Sequence, residues 1–147
     1  MRRAVFIAIL MAAVSYSQAQ REVKFTTLQV VIGNEVAEPS TRVFQTKKDW
    51  NEFLKENSAS LRGRQSVDFS KQMVAAIFAG QKPTGGYSVQ VTKVVDESEP
   101  GRPTRGVVHY RLVSPPPDAL VSQVLTYPSV VIRIGKRFDQ IEFSAPM

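Results

Sequence analysis

The sequence predicts an α+β domain: a mostly antiparallel β-sheet of about six strands with one helix packed on a face. A half-closed β-barrel is the alternative arrangement of the same strands. Three observations carry this expectation. One short amphipathic helical pattern stands near the front of the chain. Apolar or alternating segments of strand length follow it. The connections between them are mostly of hairpin length, with no internal repeat and no low-complexity stretch.

The chain opens on a processing signal rather than on a fold element. Met1-Arg2-Arg3 is a positive start, and Ala4 to Val14 is an apolar run too short to span a bilayer. Ser17-Gln18-Ala19 then places small residues where a signal peptidase reads. Cleavage after Ala19 is expected, with residues 1–19 a signal peptide and residues 20–147 one domain. Removing 19 of 147 residues leaves 128, enough for a single core that buries roughly two-thirds of the unfolded surface. The expected address is outside the cytoplasm: periplasm, cell surface or medium. With no cysteine, neither a disulfide nor a cysteine-linked lipid is available, so the core alone must hold the fold. No later segment is long and apolar enough to serve as a transmembrane anchor.

Val23 to Ile32 reads as a first strand, rich in Val and Thr, ended by the turn Gly33-Asn34-Glu35. Val43-Phe44 leads into the helix. Thr46 can cap it, and Asp49 three residues on favours the positive end of the helix dipole. Trp50, Phe53 and Leu54 then share one face, against Lys47, Lys48, Asn51, Glu52 and Lys55 on the other. The single tryptophan therefore reads as a core anchor. Asn57 and Ser58 stop the helix, and Ser60 to Ser66 is a basic connection.

Met73 to Ala79 is an unbroken apolar run, which predicts a central strand buried on both faces. Gln81-Lys82-Pro83-Thr84-Gly85-Gly86-Tyr87 reads as a tight hairpin, since Pro83 fixes its own φ and the glycines accept positive φ. Tyr87, Val89, Val91 and Val95 then share one parity of an alternating strand. Asp96 to Pro103 is an exposed loop, and Gly106 to Val113 is a strand with Val108, Tyr110 and Leu112 pointing inward. Pro115-Pro116-Pro117 breaks it, and Asp118 to Leu125 is either a short helical turn or an extended crossing. Val130 to Ile134 and Phe138 to Phe143, joined by Gly135-Lys136-Arg137, read as a last hairpin.

Chemistry is sparse. His109 is the only histidine, mid-strand beside Arg111, and a lone histidine there is more often a surface residue than a catalyst. No glycine-flanked nucleophile elbow is present. Asp96, Glu97 and Glu99 lack the spacing of a calcium loop, and one histidine without clustered carboxylates makes no zinc site. The expectation is no enzyme, no metal and no cofactor. The loss of Arg2 and Arg3 with the signal segment lowers the net charge from +6 to +4. The remaining basic residues scatter instead of forming a stripe with aromatics, so nucleic acid is not an expected partner. Weak attraction to anionic envelope polymers stays open as one reading of the charge.

Three ordered segments resemble the C-terminal domain of the protease complex subunit PrcB family. They are Asp68-Phe69-Ser70-Lys71-Gln72-Met73-Val74, then Lys82-Pro83-Thr84-Gly85-Gly86-Tyr87-Ser88-Val89, then Ser114-Pro115-Pro116-Pro117 with Gln123-Val124-Leu125-Thr126-Tyr127-Pro128. The resemblance runs from about residue 50 to residue 143. It implies an exported bacterial accessory protein of a secreted protease system, without catalysis of its own, whose expected protein partner is an exported protease. Candidate contact residues are Lys82, Pro83, Thr84, Gly85, Gly86, Tyr87, Pro116, Tyr127 and Pro128. The stretch Pro83 to Tyr87 is also similar to the first inhibitory loop of chagasin-type cysteine-protease inhibitors. That gives the alternative of a protease inhibitor acting through this loop, although Arg102-Pro103 is followed by Thr104 where that family places tryptophan.

Overall fold

The computed structural model describes residues 20–146, so the expected signal segment at 1–19 lies outside the described residues. Among the described residues the chain is mostly antiparallel β-sheet with one short helix, and no sheet closes into a barrel. The strands divide between two four-stranded sheets and a two-stranded ribbon, where the sequence led to one sheet of about six strands.

The first sheet holds β1 (Arg21–Val23), β7 (Ser88–Asp96), β8 (Arg105–Val113) and β10 (Gln140–Ser144), in the order β1-β7-β8-β10. The second holds β2 (Phe25–Leu28), β9 (Ser129–Gly135), β6 (Gln72–Phe78) and β4 (Ser40–Phe44), in the order β2-β9-β6-β4. The ribbon pairs β3 (Val30–Val31) with β5 (Ser60–Leu61).

The second sheet is the middle layer. Met73, Ala75, Ile77, Ile132 and Ile134 point from it toward Val23, Val89, Val94 and Val108 of the first sheet. On its other face Val74, Ala76, Phe78 and Val131 meet Phe44 and the helix α1 (Lys47–Glu56) through Trp50 and Phe53. This is why Met73 to Phe78 is apolar without alternation: every side chain of that run is buried. The central-strand expectation is met.

The helix forms as its pattern predicts. The Thr46 hydroxyl accepts from the Asp49 amide at 3.1 Å, and Asn57 closes the last turn onto Phe53. Trp50 and Phe53 stack at 5.7 Å between centroids, with Phe44 edge-on to Trp50 at 5.1 Å and Phe78 at 5.8 Å from Phe53. Four aromatic rings thus fasten the helix to the sheet.

Four local expectations need correction. The segment Val23 to Ile32 is three short strands, because the chain leaves the first sheet at Lys24 to join the second and leaves that at Gln29 for the ribbon. Val43 and Phe44 belong to a strand, β4, antiparallel to β6. The Lys82–Tyr87 segment is not a hairpin: β6 and β7 lie in different sheets, and the segment carries the chain between them. The final pair is not a hairpin either, since β10 pairs parallel with β8. Phe138, buried to 4 % exposure, packs directly over Gly106, and a Cβ there would meet its ring at 2.8 Å. Burying that ring swings the chain across to the first sheet.

The alternation in β7 also breaks. A register shift between Val91 and Lys93 puts Val94 opposite Val108 and buries both completely. At the other end of the ladder Leu112, expected to point inward, is 42 % exposed, although Val89 opposite it is buried.

Candidate partner-binding site

The connections β6–β7 and β8–β9 leave the same end of the sandwich, and the structure knits them together. Lys82 and Thr126 form a two-way backbone bridge, at 2.8 Å from the Lys82 amide to the Thr126 carbonyl and 3.0 Å in return. The Thr126 hydroxyl donates to the Thr84 carbonyl at 2.7 Å, and the Gly85 amide donates to the Ser122 carbonyl at 2.9 Å. The two segments singled out separately in the sequence are one structural unit.

The glycines are what allow this. Gly86 has φ +85°, and a Cβ on it would stand 2.8 Å from Pro115 and 2.9 Å from Val121. A Cβ on Gly85 would stand 2.5 Å from the Ser122 hydroxyl. The Lys82–Tyr87 loop is therefore a seat: its amides and carbonyls are used inside the fold, and the 114–126 segment lies on it. Pro83 and Gly86 are exposed, while Lys82, Thr84, Gly85 and Tyr87 are half-buried.

Tyr127 and Pro128 stand at the base of this unit. The Pro128 carbonyl accepts from Ala79 at 2.9 Å, ending β6. The Tyr127 hydroxyl donates to Glu35 at 2.9 Å, and that bond to the carboxylate, with some desolvation, raises the phenol above its ordinary value. Tyr127 so ties the β3–β4 loop to the β8–β9 loop. It walls a groove of about 290 Å³ lined by Ile32, Asn34, Val36 and Phe78, and a wider opening bordered by Arg62 and Ser129. Gly80, at φ +73°, brings the chain against Ala37 and Pro39 of the same loop.

Pro116 is exposed, and its carbonyl takes the Ala119 amide at 3.0 Å in a tight turn. Beyond it Ala119 to Gln123 lies outside any helix or strand. Sequence reasoning did not single out what this stretch displays: Leu120 is 105 % exposed, Val124 59 % and Leu125 54 %. The available signal was the helical spacing of Leu120, Val121, Val124 and Leu125, an apolar face that the structure leaves without a helix.

His109 stands elsewhere, in β8, opposite Lys93 of β7. It is half-buried, and its Nε2 is enclosed without a hydrogen-bond partner among the described residues. His109→Phe should be neutral or stabilising by up to about 1 kcal/mol, because it removes an unpaired polar atom at similar volume. Urea midpoints of the two proteins check this; a loss of more than that range shows a partner for the ring.

The acidic turn after β7 is accounted for by arginine. Arg105 pairs with Glu97 and with Glu142 at 3.2 Å, Arg137 with Asp96 at 2.9 Å, and Arg102 with Glu99 at 3.2 Å. Asp139 accepts from the Thr104 hydroxyl and amide, both at 2.8 Å, which hold its carboxyl below its usual range. These pairs lie at the end of the sheets opposite the candidate site, where they fix the β7–β8 turn against β10.

Residues 73–135 match a family model described as PrcB C-terminal. The match takes in both loops of the candidate site, and is narrower than the span read from the sequence, leaving out residues 50–72 and 136–143. No curated protein and no solved structure matches the chain.

Proposed function

We propose that this chain, whose residues 73–135 carry the PrcB C-terminal family pattern, is an exported non-catalytic binding domain that serves a secreted protease as an accessory, maturation or stabilising subunit. The match itself supports association with a protease complex. The finer reading places the contact on the loop pair 82–87 and 114–128. One observation supports that placement above the rest: within the matched segment, the fold spends glycines and an inter-loop bridge to hold a stretch that leaves Leu120, Val124 and Leu125 in solvent. A stretch with no role beyond connecting β8 to β9 gains nothing from displaying three large apolar side chains. Because the loops are already held, docking orders little additional chain, which favours affinity.

Affinity capture with the immobilised protein from envelope extracts tests the reading. Recovery of a protease or its precursor is expected, reduced when Val124 and Leu125 are both changed to Ser. Repeated recovery of no protease would end the proposal.

A further inference from the structure

We infer that the cleft between β3 and β9 is a strand-addition site. It takes a short extended segment of a partner polypeptide, carrying an acidic residue, which pairs with backbone on both walls. The site stands independently of the protease reading, because what selects its occupant is the backbone of Val30 and Ser129 and the charge of Arg62.

The cleft opens where two neighbouring strands part. The ladder between β2 and β9 ends with Leu28 opposite Val131. Two steps further it would set Val30 opposite Ser129, but Val30 pairs instead with Leu61 of β5. Ser129 pairs with Phe78 of β6. Each of the two is thus paired on its far side. Between them lies an opening of about 530 Å³, bordered by Val30, Val31, Ile32, Arg62, Tyr127 and Ser129.

The bonds beside each pair decide where the free groups of Val30 and Ser129 point. In an antiparallel ladder, pairs that exchange both bonds alternate with pairs that exchange none, and the latter are flanked by their neighbours' bonds. The Arg62 amide donates to the Gln29 carbonyl at 2.8 Å, one step outside the pair of Val30 and Leu61. The Ala79 amide donates to the Pro128 carbonyl at 2.9 Å, one step outside the pair of Phe78 and Ser129. Both pairs are therefore of the kind that exchanges no bond. The N–H and C=O of Val30 and of Ser129 turn away from those partners and into the cleft. Two facing walls each offer a donor and an acceptor.

This pattern selects the occupant. An extended polypeptide carries donors and acceptors along both of its edges, so one segment satisfies both walls. With it in place, β4, β6, β9, the segment, β3 and β5 form one continuous run of strands. A lipid chain in the same cleft would strand those backbone groups without partners, at the cost of burying them unpaired. Charge adds direction. Arg62 is exposed at the border and joins no ion pair among the described residues, so a carboxylate on the segment completes it. Ile32 and Tyr127 also border the narrower groove of about 290 Å³, where Val36 and Phe78 contribute apolar wall and Glu35 is engaged by the Tyr127 hydroxyl. A large apolar side chain of the segment belongs at that end, and the acidic one belongs at the Arg62 end.

Amide exchange of the free protein is the first test. The Val30 and Ser129 amides should exchange at least about tenfold faster than those of Val131 and Ile132, which lie within the paired part of β9. A random heptapeptide display library is then selected on the immobilised protein. Enriched sequences should combine Asp or Glu toward one end with a large apolar residue toward the other. The best of them, synthesised with a fluorescent label, should protect the Val30 and Ser129 amides when it binds. Methylating its central backbone nitrogens should weaken binding at least about tenfold, since bonds to the walls are lost. Arg62→Ala should weaken binding about two- to fivefold, the scale of an exposed ion pair, and Arg62→Glu should shift preference to the same peptide with Lys for its acidic residue. Arg62 is exposed, so the melting of both variants should match the parent. Slow exchange of both cleft amides in the free protein overturns the inference, as does a library without enrichment. So does a bound peptide that leaves those amides unprotected, tolerates backbone methylation, or binds Arg62→Glu as it binds the parent. Protection that grows with protein concentration alone also overturns it, because the added strand would then come from a second copy of the chain.

Discussion

Trp50→Ala is expected to cost about 3–5 kcal/mol, the range for deleting a large buried aromatic side chain. Trp50 is 3 % exposed and touches two other rings, stacked on Phe53 and edge-on to Phe44. Its loss does more than empty a volume. The helix is ten residues long, too short to stand in water without the sheet, so its attachment through Trp50 and Phe53 is what makes it helical at all. Removing one of two buried anchors lets the helix loosen and bares the outer face of β6, where Val74, Ala76 and Phe78 are now dry. The result to look for is a lower urea midpoint together with increased binding of a hydrophobic dye before the main transition. A loss below about 1 kcal/mol would mean that the outer layer contributes little, contrary to the burial. Leu54→Ala, on the same face but only half-buried, should cost less and serves as the comparison.

The same helix shows where sequence reading succeeds. Thr46, Asp49, Trp50 and Phe53 interact within two turns, so cap, dipole and apolar face are local and visible in the order of residues. The run Met73 to Ala79 was equally plain, because burial on both faces erases alternation. The division into two sheets was not visible. A connection the length of Gly80 to Tyr87 can fold back along one sheet or step to another, and the residues that decide it are distant in sequence. Thr126 holds Lys82, and Pro128 ends β6 through Ala79. Phe138 does the same for the last connection: an apolar residue after a Gly-Lys-Arg turn looks like the start of a returning strand, and only Gly106, far upstream, reveals it as a plug.

The candidate site divides along the same line. Its residues were legible as turn formers, since Gly and Pro announce their backbone demands. Their purpose was not, because a glycine that exposes backbone and a glycine that seats another segment have the same sequence signature. Leu120 was silent for a related reason. A leucine shortly after three prolines reads alike whether it points into a core or out of one, and here the contacts of its neighbours, the Ala119 amide on Pro116 and Val121 over Gly86, leave it in solvent.

Gly86→Ala is the second large effect, and a set of three glycines separates its causes. At φ +85° any side chain meets left-handed strain, about 1–2 kcal/mol, and here the new Cβ would also press on Pro115 at 2.8 Å and Val121 at 2.9 Å. Neither neighbour is a flexible chain end: one is a proline ring carbon and the other a β-branched methyl. The cheapest relief is for the 114–126 segment to lift off its seat, giving up the 2.9 Å bond from Gly85 to Ser122. A total loss of about 2–4 kcal/mol is therefore expected, with strain and displacement combined. Gly101, at φ +76° with open space around it, isolates the strain alone, so Gly101→Ala should cost only about 1–2 kcal/mol. Gly135, without positive φ and with nothing near its side-chain position, should tolerate Ala within about 0.5 kcal/mol. Amide exchange adds the local readout: the Gly85 and Thr126 amides should lose protection in Gly86→Ala and keep it in the other two. If Gly86→Ala costs no more than Gly101→Ala and those amides stay protected, the 114–126 segment is not seated on Gly85 and Gly86.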